Sequence, residues 1–355
     1  MNKERLQWLD ALRGFTMLLV VANHVYLVSF DTSTKASMFM SLCLLFRMPL
    51  FFFISGFLAY KALFSWNVAD TARLVQKKLR VQLVPTLVMM TAWIALFRKP
   101  FWQAMETAWL SPTKQGYWFT IVLLEMLLAY YAVCFLVSRL NRLRFFRGIT
   151  TNRAIVTMWL LALLGYATMY MPKWFNWYKD IFWHITSLTE FVRFFHFFLL
   201  GNLCHRHWNR ICRLLDSPWF FPLLVVIAFI GSTDYLHWHN LRLHWANLPR
   251  TLAMYSLVLM CVAFFRYYEN WFTRERVVGR SLQYVGVRTL DVYLLHYFFL
   301  PHLPAVGAWF KATPHNFALE GTAALLVALL VVAFALLTSN ILRVSPFLKK
   351  WLFGR

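Results

Sequence analysis

Residues 8–25 read WLDALRGFTMLLVVANHV. The run is mostly apolar, and with its flanks it reaches the roughly 20 residues that a helix needs to cross a bilayer. It nevertheless holds Asp10, Arg13 and His24. Ionisable groups in a spanning helix cost about 2.5 kcal/mol or more on insertion scales, and they persist where they pair, face a cavity or do chemistry. Arg13 and His24 are eleven residues apart. At helical pitch that returns His24 to within about 20° of Arg13, roughly 16 Å further along the axis. Asp10 lies one turn before Arg13 and can pair with it. The segment reads as a membrane helix with a polar stripe running from one end past its middle. The plainer reading is an interfacial Asp–Arg pair and a histidine satisfied by a neighbouring helix.

Working outward with the same length criterion gives ten segments, near 8–30, 42–63, 81–97, 117–137, 153–170, 187–204, 218–236, 249–267, 284–303 and 319–342. No long hydrophilic stretch interrupts them. The expected fold is all-α: a polytopic integral membrane protein of about ten transmembrane helices, forming a single membrane domain over 1–355. The composition, 60% hydrophobic and 14% charged, agrees, because a soluble domain of this length does not carry so much apolar surface.

A net charge of +22 would ordinarily suggest nucleic acid. Here the basic residues fall in the gaps between apolar segments, which excludes that class and fixes orientation instead. Twenty-two Lys and Arg lie at the N-terminus and in alternate gaps, among them Lys77, Lys78, Arg80, Arg142, Arg210 and Lys349. The other gaps hold nine, including Lys35, Lys99, Lys114, Lys173 and Lys311. By the positive-inside rule both termini are cytoplasmic. Five scattered cysteines form no disulfide framework or CxxC site, and no cleavable signal peptide is evident.

The remaining segments carry further polar groups. Segment two begins FRMPLFFFISGFLAY, with Pro49 expected in its first turn and Ser55-Gly56 offering a small surface for close approach. Before segment three, Lys77 and Arg80 share one helix face at the cytoplasmic surface, which suits a phosphate-bearing ligand but is also ordinary positive-inside patterning. Segment four, YWFTIVLLE, brings Glu125 to the depth of His24, within roughly 3 Å along the normal. A carboxylate on one imidazole nitrogen would leave the other free as a base. Glu190, Arg193 and His196 in segment six read as an internally paired structural network. Segment nine, VRTLDVYLLHYF, carries Arg288, Asp291 and, near mid-membrane, His296, which lines the same cavity as His24 or is a core histidine. His237, His239 and His244 lack companion ligands, so no metal is expected.

At these residues the chain resembles the acyltransferase-3 family of integral membrane acyltransferases. The matching pieces are LDALRG with Arg13 and His24, RMPLFFFISGFLAY, Lys77-x-x-Arg80 followed by Pro85, YWFTIVLLE, RFFHFFLLG and TLDVYLLHYF, in family order over about 5–342. The resemblance implies an O-acyltransferase that modifies a hydroxyl of a cell-envelope or extracellular sugar, in a bacterial inner membrane. It implies His24 as the catalytic residue; Glu125, by its depth, is the second catalytic candidate, although many family members with a glutamate in this helix carry it closer to the Trp than Glu125 is to Trp118. Arg13, Lys77 and Arg80 become the site for the acyl donor, a cytoplasmic acyl-CoA. Acetyl is the expected acyl group and succinyl the alternative. Asp10, Ser55, Arg288 and His296 are cavity-lining candidates. The expected partners are acyl-CoA as co-substrate, a sugar or glycan acceptor and the lipid bilayer, with no bound cofactor. The rivals are a polysaccharide or lipid-linked sugar transporter or flippase, for which no inverted repeat is visible, and a membrane scaffold.

Overall fold

The computed structural model describes residues 6–33, 37–141, 150–169, 180–233, 248–314 and 316–353. Among these residues all regular structure is helical. That is what a lipid environment demands, since a helix satisfies its backbone polar groups within one segment. The protein is an all-α polytopic membrane protein.

A helix lies over every one of the ten expected segments. Six of them, among the described residues, are long and apolar enough to cross a membrane: Gln7–Ser29, Met38–Ala59, Val68–Phe97, Trp118–Leu140, Leu248–Tyr267 and Phe317–Leu342. A seventh span would be the pair Trp208–Leu215 and Phe220–Ser232, bent by 80°. The others are shorter, broken or more polar. Leu188–Arg206 carries Glu190 and Arg193, and residues 277–299 divide into Val277–Val287, Thr289–Leu295 and a 3-10 turn, His296–Phe299. The break falls at Arg288, which leaves helical geometry at φ −113°, ψ 24°.

Pro49 differs from expectation. The second helix begins at Met38, so Pro49 sits in its interior rather than its first turn. A proline there removes one backbone hydrogen bond, a loss that membrane helices absorb through neighbouring groups.

The chain forms two compact units. The first comprises residues 6–51 and 209–341, the second 52–208 and 342–353. In the first, the Gln7–His24 helix packs against Val277–Val287 and Leu248–Tyr267. A methyl group on Gly14 would fall 2.0 Å from the Leu282 carbonyl oxygen, and one on Gly286 1.8 Å from the Asp10 carbonyl oxygen. The two backbones therefore touch where each helix has a glycine. The Phe317–Leu342 helix joins the unit through Ser339, whose hydroxyl donates to Asp291 at 2.7 Å, and through Glu320, which accepts from Tyr26 at 3.5 Å.

In the second unit, residues 52–59 meet Leu188–Arg206 by the same device, Gly56 against Phe198 and Gly201 against Phe53. Asn202 Nδ2 donates to the Gly56 carbonyl at 3.2 Å. Ser55 is half-buried beside this contact. Arg193 Nη1 donates to both carboxylate oxygens of Glu190, at 2.8 and 3.0 Å, and His196 is buried between the rings of Tyr166 and Phe197.

Candidate active site

The first unit gathers its polar residues on the inner stripe of the Gln7–His24 helix. At one end Arg13 lies 3.6 Å from the buried carboxylate of Asp10. Arg13 Nη2 also donates to Thr289 Oγ1 at 3.0 Å. Thr289 is the first residue of the short helix that follows the Arg288 break. The arginine is thus held on its own helix and on the element that carries His296.

Further along, His24 closes the α-helix and a π-helical turn, Val25–Ser29, follows at once. Opposite it, Thr289–Leu295 tightens into the 3-10 turn that starts with His296 and Tyr297. Both irregularities are of kinds that cluster at functional sites. They bring three rings together. His24 Nδ1 is 2.8 Å from His296 Nε2, the two ring planes are within 11° of parallel, and their centroids are 5.0 Å apart. The Tyr297 hydroxyl lies 3.3 Å from His24 Nε2, within hydrogen-bond distance. His296 is fully buried, whereas His24 and Tyr297 keep part of their surface. The guanidinium of Arg47, itself buried in the second helix, bears electrostatically on both His24 and Tyr297. Arg288 lies elsewhere: it donates to Asn340 and rests over the Tyr284 ring at 4.5 Å.

The second unit holds the other candidates. Lys77 and Arg80 are exposed, at the end of the helix Val68–Lys78 and in the π-helical turn Leu79–Leu83. The Asn67 side chain starts that helix by accepting from the Asp70 N–H at 2.8 Å. Glu125 is partly buried on Trp118–Leu140, and its Oε2 has no hydrogen-bond partner among the described residues. Its charge neighbour is Lys114, which is fully buried. Lys114 Nζ donates to the carbonyls of Trp109 at 2.6 Å and His184 at 2.9 Å. Burial pushes the Lys114 ammonium down to about 8, and the Glu125 carboxylate partly offsets this.

Reading the sequence missed two participants, Arg47 and Tyr297. Arg47 carried a signal, an arginine inside the apolar run LCLLFRMPLFFF, of the same costly kind as Arg13. Tyr297 carried none beyond its place next to His296. Of the residues considered earlier, His237, His239 and His244 lie outside the described residues, as do the basic residues Lys35, Arg142 and Lys173.

Chemically, this is a pair of hydrogen-bonded imidazoles, one buried and one partly exposed, with one ring nitrogen facing a hydroxyl and a guanidinium charge acting on it. Such a set can take up a proton and stabilise developing negative charge. A family model described as an acyltransferase domain matches residues 6–342. No curated protein and no solved structure matches the chain. With nearly the whole chain covered, the protein belongs to the acyltransferase-3 family of membrane acyltransferases.

Proposed function

We propose that this membrane acyltransferase moves an acyl group, acetyl first among them, from cytoplasmic acyl-CoA to a hydroxyl of a cell-envelope or extracellular sugar. The protein would lie in a bacterial inner membrane with both termini in the cytoplasm. The observation that carries the reading is His24: an accessible imidazole in the interior of a spanning helix, backed by a second, enclosed imidazole at 2.8 Å. Such an arrangement suits proton transfer in a low-dielectric site.

In this reading Arg13, Lys77 and Arg80 receive the donor's phosphates, and the thioester reaches His24. The Tyr297 hydroxyl marks where an acceptor hydroxyl would donate. At 3.3 Å its bond to Nε2 is long for a hydroxyl donor, and so easily displaced. His24 Nε2 takes the proton of the sugar hydroxyl as its oxygen attacks the thioester carbonyl carbon. Arg47 stabilises the oxyanion that forms. The carbon–sulfur bond then breaks, and the thiolate leaves with the proton from His24. The products are the sugar ester and free coenzyme A. Glu125 is a second acid–base candidate in this scheme.

The test is turnover of labelled acetyl-CoA by purified protein. Wild type should transfer or hydrolyse the acyl group, and His24→Ala should abolish this while leaving expression intact. Lys77→Ala/Arg80→Ala should raise the donor KM by about tenfold or more, as expected for lost phosphate contacts. Full activity in His24→Ala would overturn the mechanism. Well-folded protein that turns over no acyl-CoA would overturn the function and favour transport of a sugar instead.

A further inference from the structure

We propose that His296 is a positioning residue that fixes the tautomer of His24. The inference rests on His24 acting as the base, but the argument begins at the backbone. His296 Nδ1 lies 2.8 Å from the Tyr293 carbonyl oxygen and 3.2 Å from that of Val292. A carbonyl oxygen only accepts, so His296 Nδ1 carries a hydrogen. In a neutral ring the other nitrogen, Nε2, is then an acceptor.

The atom facing that acceptor at 2.8 Å is His24 Nδ1, which must therefore donate. One step further, His24 Nε2 holds the lone pair. It is the nitrogen that receives the Tyr297 hydroxyl, and the one on the accessible ring. Two backbone carbonyls thus decide, through one intervening imidazole, which nitrogen of His24 is the base. Both carbonyls lie in the last turn of Thr289–Leu295, just before the 3-10 turn at His296–Phe299, and the Val292 oxygen also accepts the His296 backbone N–H.

Enclosure assigns the roles. His296 is 0% exposed, while His24 keeps part of its surface. When Nε2 takes the acceptor's proton, the resulting imidazolium is stabilised through its Nδ1–H bond to His296. The proton then leaves from the same Nε2 to the departing sulfur, so His296 ends each cycle unchanged. The Arg47 guanidinium bears electrostatically on His24, and the Tyr297 hydroxyl faces its Nε2.

The test is nitrogen-15 NMR of histidine-labelled protein in bilayers, with the His24 and His296 signals assigned from His24→Asn and His296→Leu. The expected wild-type result is Nδ1–H on both rings, with both Nε2 atoms unprotonated. In His296→Leu, which cannot accept, His24 should lose this preference. Its kcat should fall by about 100-fold or more, as for a base in the wrong tautomer, with donor KM unchanged. His296→Gln, whose Oε1 can accept, should recover part of the rate. An Nε2–H tautomer at His24 in the wild type, or a doubly protonated His296, would overturn the proposal. So would an unchanged kcat in His296→Leu. Should that variant not fold, the wild-type spectrum and His296→Gln still decide. Protein inert to every acyl donor but with both rings in the expected tautomer would strike the acyltransfer reading and support the tautomer assignment. Active protein with the opposite tautomer would strike this inference alone.

Discussion

Arg13 donates to Thr289 across a sequence separation of 276 residues, joining the first helix to the short helix that delivers His296. The bond is 3.0 Å long and its acceptor is buried. The same arginine is proposed to meet donor phosphate. Thr289→Val should lower stability by about 1 kcal/mol, the net worth of one such hydrogen bond, and shift donor KM only slightly. Arg13→Gln should raise donor KM about tenfold or more, since it removes a charge as well. Equal KM effects from the two variants would show that Arg13 only holds the helices together.

The glycine contact between the first helix and Val277–Val287 predicts a sharp steric effect. Gly14→Ala and Gly286→Ala each place a methyl group at 2.0 Å or less from a carbonyl oxygen, so backbone must move. Each should destabilise by about 1–3 kcal/mol, the usual cost of overpacking. Thermal unfolding in detergent measures this. A melting temperature unchanged by either substitution would contradict the close approach.

Tyr297→Phe separates a placeholder from a participant. A hydroxyl that marks only the acceptor's position can be removed at modest cost, so kcat should stay within about tenfold of wild type. Loss of turnover on the scale of His24→Ala would instead give Tyr297 Oη a direct part in transfer.

Glu125 has a carboxylate oxygen without a hydrogen bond among the described residues. If that carboxylate serves in acid–base transfer, Glu125→Gln lowers kcat by about 100-fold with donor KM unchanged. An unaltered kcat would confine Glu125 to balancing the charge of Lys114.

Lys114 predicts a pH dependence of stability. Its ammonium is held at about 8 in the fold, against 10.5 for the free side chain. Between these values the unfolded chain binds more protons than the folded one, so stability contributed at this site rises with pH through that window. Below about 8 the lysine is charged in both states and the cost is constant. The difference in unfolding free energy between wild type and Lys114→Met, followed from pH 7 to above 10.5, should show this slope. A flat difference would mean that burial leaves Lys114 untouched.

The helical segments were legible in the sequence because apolar runs of spanning length admit few alternatives in lipid. The stripe on the first helix was legible for the same reason: helical pitch alone aligns Arg13 with His24. The interruption at Arg288 was not. VRTLDVYLLHYF holds neither proline nor glycine, and the break coincides with long-range contacts, Gly286 against Asp10 and Arg13 on Thr289. The start of the second helix at Met38, and with it the interior place of Pro49, was likewise misjudged, since a helix end in an apolar run has no sharp local signal. The depth comparison put Glu125 level with His24 and left their contact open. His296, read as lining the cavity of His24 or as a core histidine, meets His24 in the first unit, while Tyr297 beside it had no local signal.

The contact of Gly14 with Gly286 has one more implication. Where side chains separate two helices, neighbouring substitutions can trade volume and the gap can drift over evolutionary time. Here main chain rests on main chain, and the spacer has no atoms left to trim. The segments bearing Arg13 and His24 are thereby gauged against the segment leading to Thr289 and His296 by peptide dimensions alone. The outward-facing apolar residues of these helices have no part in setting that spacing, so the reacting groups keep their mutual distance.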